Sequence, residues 1–204
     1  MGESTMATPK EMFHAKRAEV LIKNLTARHF GACYCTTKEE ALQKALSLIP
    51  EGSKVGWGGA MSAQEIGLLD ALEAGNWNAV GRNTDGGVDV FITGANGLSL
   101  DGQMVNIDGL GNRVSSIIYG PKTVVVIAGM NKVMDTLEAA VQRARTVAAP
   151  INVQRLQKET PCAKTGVCYD CKHEDCICNH IVITRHSRPV GRIQFVLVGE
   201  DLGF

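Results

Sequence analysis

Five of the chain's seven cysteines fall in one short stretch, spaced Cys162-x5-Cys168-x2-Cys171-x4-Cys176-x-Cys178. Thiolates this close along a loop can converge on one tetrahedral ion or one cluster. Zinc and iron–sulfur centres both accept four thiolates, so spacing alone does not separate them. The plain alternative is five reduced, unliganded thiols, one or two of them buried as small hydrophobes. Clustered thiols in a reducing compartment are reactive, which favours the metal. Cys176 and Cys178 are alternatives at the fourth position, since alternate residues of an extended segment point the same way. His173 and His180 are further candidates, each more simply read as a surface histidine.

A second stretch, Val55-Gly56-Trp57-Gly58-Gly59-Ala60-Met61-Ser62, reads as a strand, a glycine turn and a helix start. Gly56, Gly58 and Gly59 let backbone N–H groups approach a ligand, and the helix start at Met61 adds partial positive charge, an arrangement suited to phosphate or carboxylate. A tight strand-to-helix turn explains it equally well. No Gly-Lys-Ser/Thr follows, so this is not a Walker loop, and the dinucleotide fingerprint is incomplete.

The third stretch runs from Thr93 to Arg113 and holds two aspartates, three asparagines, five glycines and an arginine. It follows a buried strand, where open α/β sheets place their ligands. Thr93, Gly94, Asn96, Asn106, Gly109, Gly111 and Asn112 are candidate ligand contacts. Asp101 and Asp108 are candidates to orient hydroxyls or act as general base, and Arg113 to pair with an anion. Asp101-Gly102 also has the form of a hairpin turn. Lys132, just after a later strand, can reach the same rim. Cys33 and Cys35 share one strand face and read as small buried residues rather than a redox pair.

Positioning these groups requires alternating elements. Helical spacing of Phe13, Ala18, Leu21, Ile22 and Leu25 predicts a helix over 9–28. A strand at 32–35 precedes a helix capped by Thr36 or Thr37 and running to Leu48. A strand at 54–57 leads to a helix capped by Ser62, with Glu65 completing a capping box, that ends near Gly75. Strands follow at 77–80 and 88–93, then a helix ending at Ile118, a central strand at 123–128 and a helix over 134–148. The last strands, 180–184 and 192–197, read as an antiparallel hairpin around Ser187-Arg188-Pro189.

This alternation predicts one α/β domain over 1–204, with the cysteine segment at 160–180 inside it. Its core is a Rossmann-like, mostly parallel sheet with helices on both faces. One joint resists that reading. Only residues 81–87 separate the strands at 77–80 and 88–93, whereas a parallel crossover takes roughly a dozen residues. Either those strands are not neighbours, or residues are missing between Arg82 and Asp89.

Composition narrows the function classes. Lys+Arg and Asp+Glu number 21 each, so no global field recruits nucleic acid or an anionic membrane. No apolar run approaches a membrane span, and the N-terminus lacks the apolar core of a secretory signal. A cytoplasmic location is expected, with reduced thiols. Sheet edges leave a homodimer open.

The chain resembles the LUD-domain (lactate utilisation) family. The resemblance rests on Val55-Gly56-Trp57-Gly58-Gly59, Ile66-Gly67-Leu68-Leu69-Asp70, Asp89-Val90-Phe91-Ile92-Thr93-Gly94, Asp101-Gly102, Val105-Asn106-Ile107-Asp108-Gly109, Gly111-Asn112-Arg113-Val114, Gly129-Met130-Asn131-Lys132 and Thr160-Pro161-Cys162. It implies a fold like that of the NagB/RpiA/CoA-transferase superfamily, in which the glycine turn and the Asp-Gly…Asn stretch line one pocket. It also implies a link to lactate oxidation beside iron–sulfur subunits. By this resemblance the ligands of a 4Fe-4S cluster or zinc correspond to Cys162, Cys168, Cys171 and Cys178, and Cys176 is an addition. The family generally carries a longer segment between Arg82 and Asp89. CoA transferases use a nucleophilic glutamate; Ala95-Asn96-Gly97 offers none, so covalent CoA transfer is unsupported. The expected function is binding of a small anionic or phosphorylated ligand in the glycine-lined pocket. The alternatives are an isomerase or hydrolase acting on a phosphorylated small molecule, and an electron-transfer partner of lactate-oxidising iron–sulfur proteins.

Overall fold

The computed structural model describes residues 6–82, 84 and 87–204. Helix α1 (Pro9–Ala27) starts at a capping box: Thr8 accepts from the Glu11 N–H and Glu11 bonds back to the Thr8 N–H. Strand β1 (Gly31–Cys35) leads into α2 (Lys38–Ser47), capped by Thr37. Strand β2 (Lys54–Trp57) ends in the glycine turn, followed by α3 (Met61–Glu65) and α4 (Leu68–Ala74). Strands β3 (Asn78–Gly81) and β4 (Val90–Gly94) come next, then the short β5 (Gly97–Ser99) and β6 (Met104–Asp108). Helix α5 (Asn112–Ile118) returns the chain to β7 (Thr123–Gly129) and the two-residue β8 (Val133–Met134). Helices α6 (Leu137–Arg143), α7 (Ala149–Arg155) and α8 (Pro161–Thr165) precede β9 (His180–Thr184) and β10 (Ile193–Val198).

Six strands form an all-parallel sheet in the order β1-β10-β7-β4-β2-β3. Val124 through Ala128 are all buried, as in a strand covered on both faces. Alternate residues serve two cores. Val125, Ile127 and Val196 pack with α2, α3 and α4, while Val124, Val126 and Phe195 pack with Leu21 and Leu25 of α1. A second sheet, β8-β5-β6-β9, is mixed, with β5-β8 parallel and the other pairs antiparallel.

Three expectations are corrected, and one joint left open is decided. The last two strands are not a hairpin: β9 pairs antiparallel with β6, and β10 runs parallel between β1 and β7. Their composition explains the split. Strand β10 is apolar and buried along almost its whole length, so it suits an interior position, whereas half-exposed β9 suits an edge. The awkward joint resolves because β3 and β4 are not neighbours; β2 lies between them. Thr84 and Val88 lie against one face of β2 at Gly56, where a Cβ would stand 2.7 Å from Thr84 Cγ2 and 3.0 Å from Val88 Cγ1. A side chain there would push both away.

Ser62 is not a cap. The N-cap of α3 is Ala60, and Glu65 accepts from the Gly203 N–H rather than closing a capping box. Finally, the helix after β8 does not stop at Ala148. A π-helical turn over Ala144–Ala148 leads directly into α7, whose Pro150 has no N–H to offer the preceding turn. No helix among the described residues is long and apolar enough to cross a membrane.

Candidate functional site

Strands β2 and β4 are neighbours, and their C-terminal ends open into a cavity of about 440 Å³. Such ends are where parallel sheets present loops and helix starts to a ligand. Of the residues anticipated from sequence, Gly58, Gly59, Met61, Gly94, Asn96, Asp108, Gly109, Asn112, Arg113 and Lys132 line it. Gly56, Thr93, Asp101, Asn106 and Gly111 do not.

Each outlier has a structural occupation. Gly56 lies beneath Thr84 and Val88. Asp101 sits in the turn between β5 and β6, where Gly102 takes φ +90°. There it accepts from Arg28 Nη2 at 2.7 Å, from Gln103 Nε2 at 2.9 Å and from the Ser99 hydroxyl. The hairpin-turn reading of Asp101-Gly102 is thus the structural one. Thr93 is buried behind Arg113. Asn106 donates to the Gly94 carbonyl, and its Oδ1 is buried without a partner. Gly111, at φ +84°, is the N-cap of α5.

Asp108 and Arg113 build the floor rather than standing free. The Asp108 carboxylate accepts the N–H groups of Gly111, Arg113 and Val114 at 3.0–3.1 Å, which fixes the loop at the start of α5. The Arg113 guanidinium donates to the Gly94 carbonyl at 3.2 Å, the Asn96 Oδ1 at 2.8 Å and the Ile107 carbonyl at 2.6 Å. Burial pushes its pKa down and Asp108 opposes that shift. Gly58 is needed beside it, since a Cβ there would stand 2.7 Å from Arg113 Cδ.

Sequence reasoning missed part of the cavity. Ser62 lines it, fully buried, and accepts a hydrogen bond from Lys132 Nζ at 3.0 Å. Burial is the main reason that the Lys132 amine is pulled down to about 7, aided by the nearby Arg143 and Arg113 and opposed by Glu65. Arg82, Arg155 and Lys158 also face the cavity. The Arg155 Nη2 stands 3.5 Å from the Cβ position of Gly59, so its guanidinium overhangs the glycine turn. The acids are largely committed: Asp108 to backbone N–H groups, and Asp175 to Lys158 at 2.9 Å and the Glu159 N–H. No sequence signal marked Arg155, because the fold of the helix past Pro150 is what brings it there.

All five clustered cysteines line a second cavity of about 110 Å³. Burial, then the neighbouring Cys176, pushes the Cys178 thiol up to about 12, and burial raises Cys176 as well. Thiols crowded together resist ionising, and a cation is what would relieve that. The donor set therefore suits zinc or iron chemically. Its arrangement is less complete: among the described residues, no three His, Cys, Asp or Glu side chains are placed to hold a metal ion. Cys176, Ile177 and Asn179 line both cavities and form the wall between them. Cys33 and Cys35 lie apart on β1, with burial raising both thiols, Cys35 to about 11.

Among solved structures, the chain is similar to a DUF162 family protein from Deinococcus radiodurans. The TM-score is 0.53 at 10% identity, over 91% of this chain and 97% of that one. At that identity the likeness speaks to fold. Ribose 5 phosphate isomerase A from Neisseria gonorrhoeae matches 50% of this chain and 56% of its own at 24% identity, with a TM-score of 0.35, too low to add to the fold assignment. No curated protein matches the chain. The model of the LUD domain matches residues 18–198, from α1 through β10, and the chain therefore belongs to the LUD-domain family.

Proposed function

We propose that the chain binds a small anionic or phosphorylated ligand in the cavity at the ends of β2 and β4. The observation carrying this reading is the convergence of Arg82 and Arg155 around a glycine turn where two of the three cavity acids, Asp108 and Asp175, are already engaged. Arg155 and Arg82 would take the anion at the mouth, and Gly58 and Gly59 leave room for it against the backbone. Burial first, and then the proximity of Arg82, depresses the Arg155 pKa, and an anion held between the two guanidinium groups would relieve that repulsion.

The family's name supports a role in lactate utilisation, where a two- or three-carbon acid is the expected class of ligand. Oxalate tests the anion site directly: it should raise the melting temperature, and Arg155→Ala should weaken binding about tenfold, or ~1.4 kcal/mol. No shift with oxalate, inorganic phosphate or lactate would sink the reading.

The shared wall of Cys176, Ile177 and Asn179 favours a second element. Cys162, Cys168, Cys171 and Cys178, with Cys176 as alternative, would hold zinc or a 4Fe-4S cluster beside the ligand cavity. Zinc there would brace the wall; a cluster would supply electron transfer and make the chain a partner of lactate-oxidising iron–sulfur subunits. Metal analysis and the visible spectrum of anaerobically purified protein separate the two.

A further inference from the structure

Lys132 is placed unlike the other cations of the cavity. It ends the 3₁₀ turn after β7, is 3% exposed, and has one hydrogen-bond partner, the Ser62 hydroxyl at 3.0 Å. Among the described residues it forms no ion pair. The charged groups around it are Arg113 and Arg143, both cations, and Glu65, whose carboxylate accepts the Gly203 N–H at 2.8 Å. Arg143 itself donates to the Asn96 and Asn131 carbonyls, so its charge is held in place. A lysine kept only to bind an anion would be expected to sit where its charge is favoured. Here the surroundings favour the neutral amine, with its lone pair available.

There is also space for a reacting atom. The Cβ positions of Gly94 and Gly203 stand 4.0 and 3.2 Å from Nζ, so two glycines flank the amine and neither carries a side chain to cover it. The cavity behind it is lined by Arg82 and Arg155.

We infer that Lys132 is a nucleophilic amine that condenses with the carbonyl carbon of a small anionic oxo compound, an inference that rests on the anion site proposed above. The Nζ lone pair forms the new N–C bond, and the carbonyl π pair moves to oxygen, which takes a proton released by nitrogen. The resulting carbinolamine then loses its hydroxyl, with a proton, as water, leaving an imine. Amine plus carbonyl thus gives imine plus water, with no oxidant or reductant. Ser62, in contact with Nζ, is a positioning residue that aims the amine and can relay the proton.

The test uses glyoxylate, a small anionic aldehyde, trapped on the full chain with borohydride, and oxalate as a control of like charge that cannot form an imine. The expected product carries one glyoxylic acid less one oxygen atom, mapped by peptide mass to Lys132. Its yield should rise with pH through about 7, where the amine loses its proton. Oxalate should block it, and Lys132→Arg should abolish it. Mapping on the wild-type chain stands whether or not the variant folds. Oxalate binding without an adduct, or labelling spread over exposed lysines, overturns the inference and leaves the anion site intact. A Lys132 adduct that oxalate cannot block supports the amine and overturns the anion site. Neither binding nor adduct overturns both.

Discussion

The floor of the ligand cavity and its cysteine wall are built on opposite principles. The floor is held by strand ends and by two side chains, Asp108 and Arg113, whose hydrogen bonds go mostly to backbone groups of the same chain. The wall, from Cys168 to Asn179, has no helix or strand, and one of its few internal bonds runs from the Cys178 N–H to the Cys176 sulfur. A floor organised by secondary structure is in place before any ligand arrives. A wall without that frame is tied to the rest of the chain by side-chain bonds such as Lys158 to Asp175 and Asn179 to the Gly109 carbonyl, and a metal on its thiols would couple to its local folding.

The largest expected effect breaks the floor. Arg113→Ala removes donors to Gly94, Asn96 and Ile107 and strands buried acceptors, so unfolding should be easier by about 3–5 kcal/mol, read as a lower denaturant midpoint. If the midpoint barely moves, the floor is not held as described.

Lys132 gives the next effect, and its sign is the informative part. Its folded pKa, about 7, lies below the ordinary lysine value of 10.5, so between those pH values the unfolded chain binds more protons than the native one. This group's contribution to stability therefore increases as pH rises through that window. Lys132→Met should stabilise the protein at pH 6 by on the order of a few kcal/mol, with the gain shrinking toward pH 10. A pH-independent gain would mean that the amine is not desolvated.

The wall responds to a different treatment. If the cysteines hold a metal, chelation should speed proteolysis between Lys158 and Asn179 several-fold and leave the parallel sheet intact by circular dichroism. Equal protection before and after chelation would make the wall as self-sufficient as the floor. Smallest is Asp101→Ala, which loses a half-exposed ion pair to Arg28 and a turn contact. A cost of about 1 kcal/mol is expected, with oxalate affinity unchanged. Lost affinity would return Asp101 to the site.

The same contrast explains what the sequence made legible. Buried parallel strands announce themselves as apolar runs such as Val124-Val125-Val126-Ile127, and the turn glycines mark where they end. The cavity-lining residues adjacent to those ends, Gly58, Gly94, Arg113 and Lys132, were readable for the same reason. What local pattern could not convey was pairing between distant segments. Strand β10 inserts inside the sheet, between β1 and β7, because its apolar length demands burial on two faces. Ser62 has a cap's sequence context yet spends its hydroxyl on Lys132, seventy residues away. Arg155 reaches the glycine turn only because the helix passes Pro150 through a π turn.

The most direct measurement is an amide chemical-shift titration of the ¹⁵N-labelled protein with oxalate. The account predicts saturable shifts concentrated at Gly58, Gly59, Gly94 and Lys132, and none at Asp101 or Gly102. Shifts that never saturate, or that centre on the β5–β6 turn instead, would contradict the claim that the ends of β2 and β4 form the anion site.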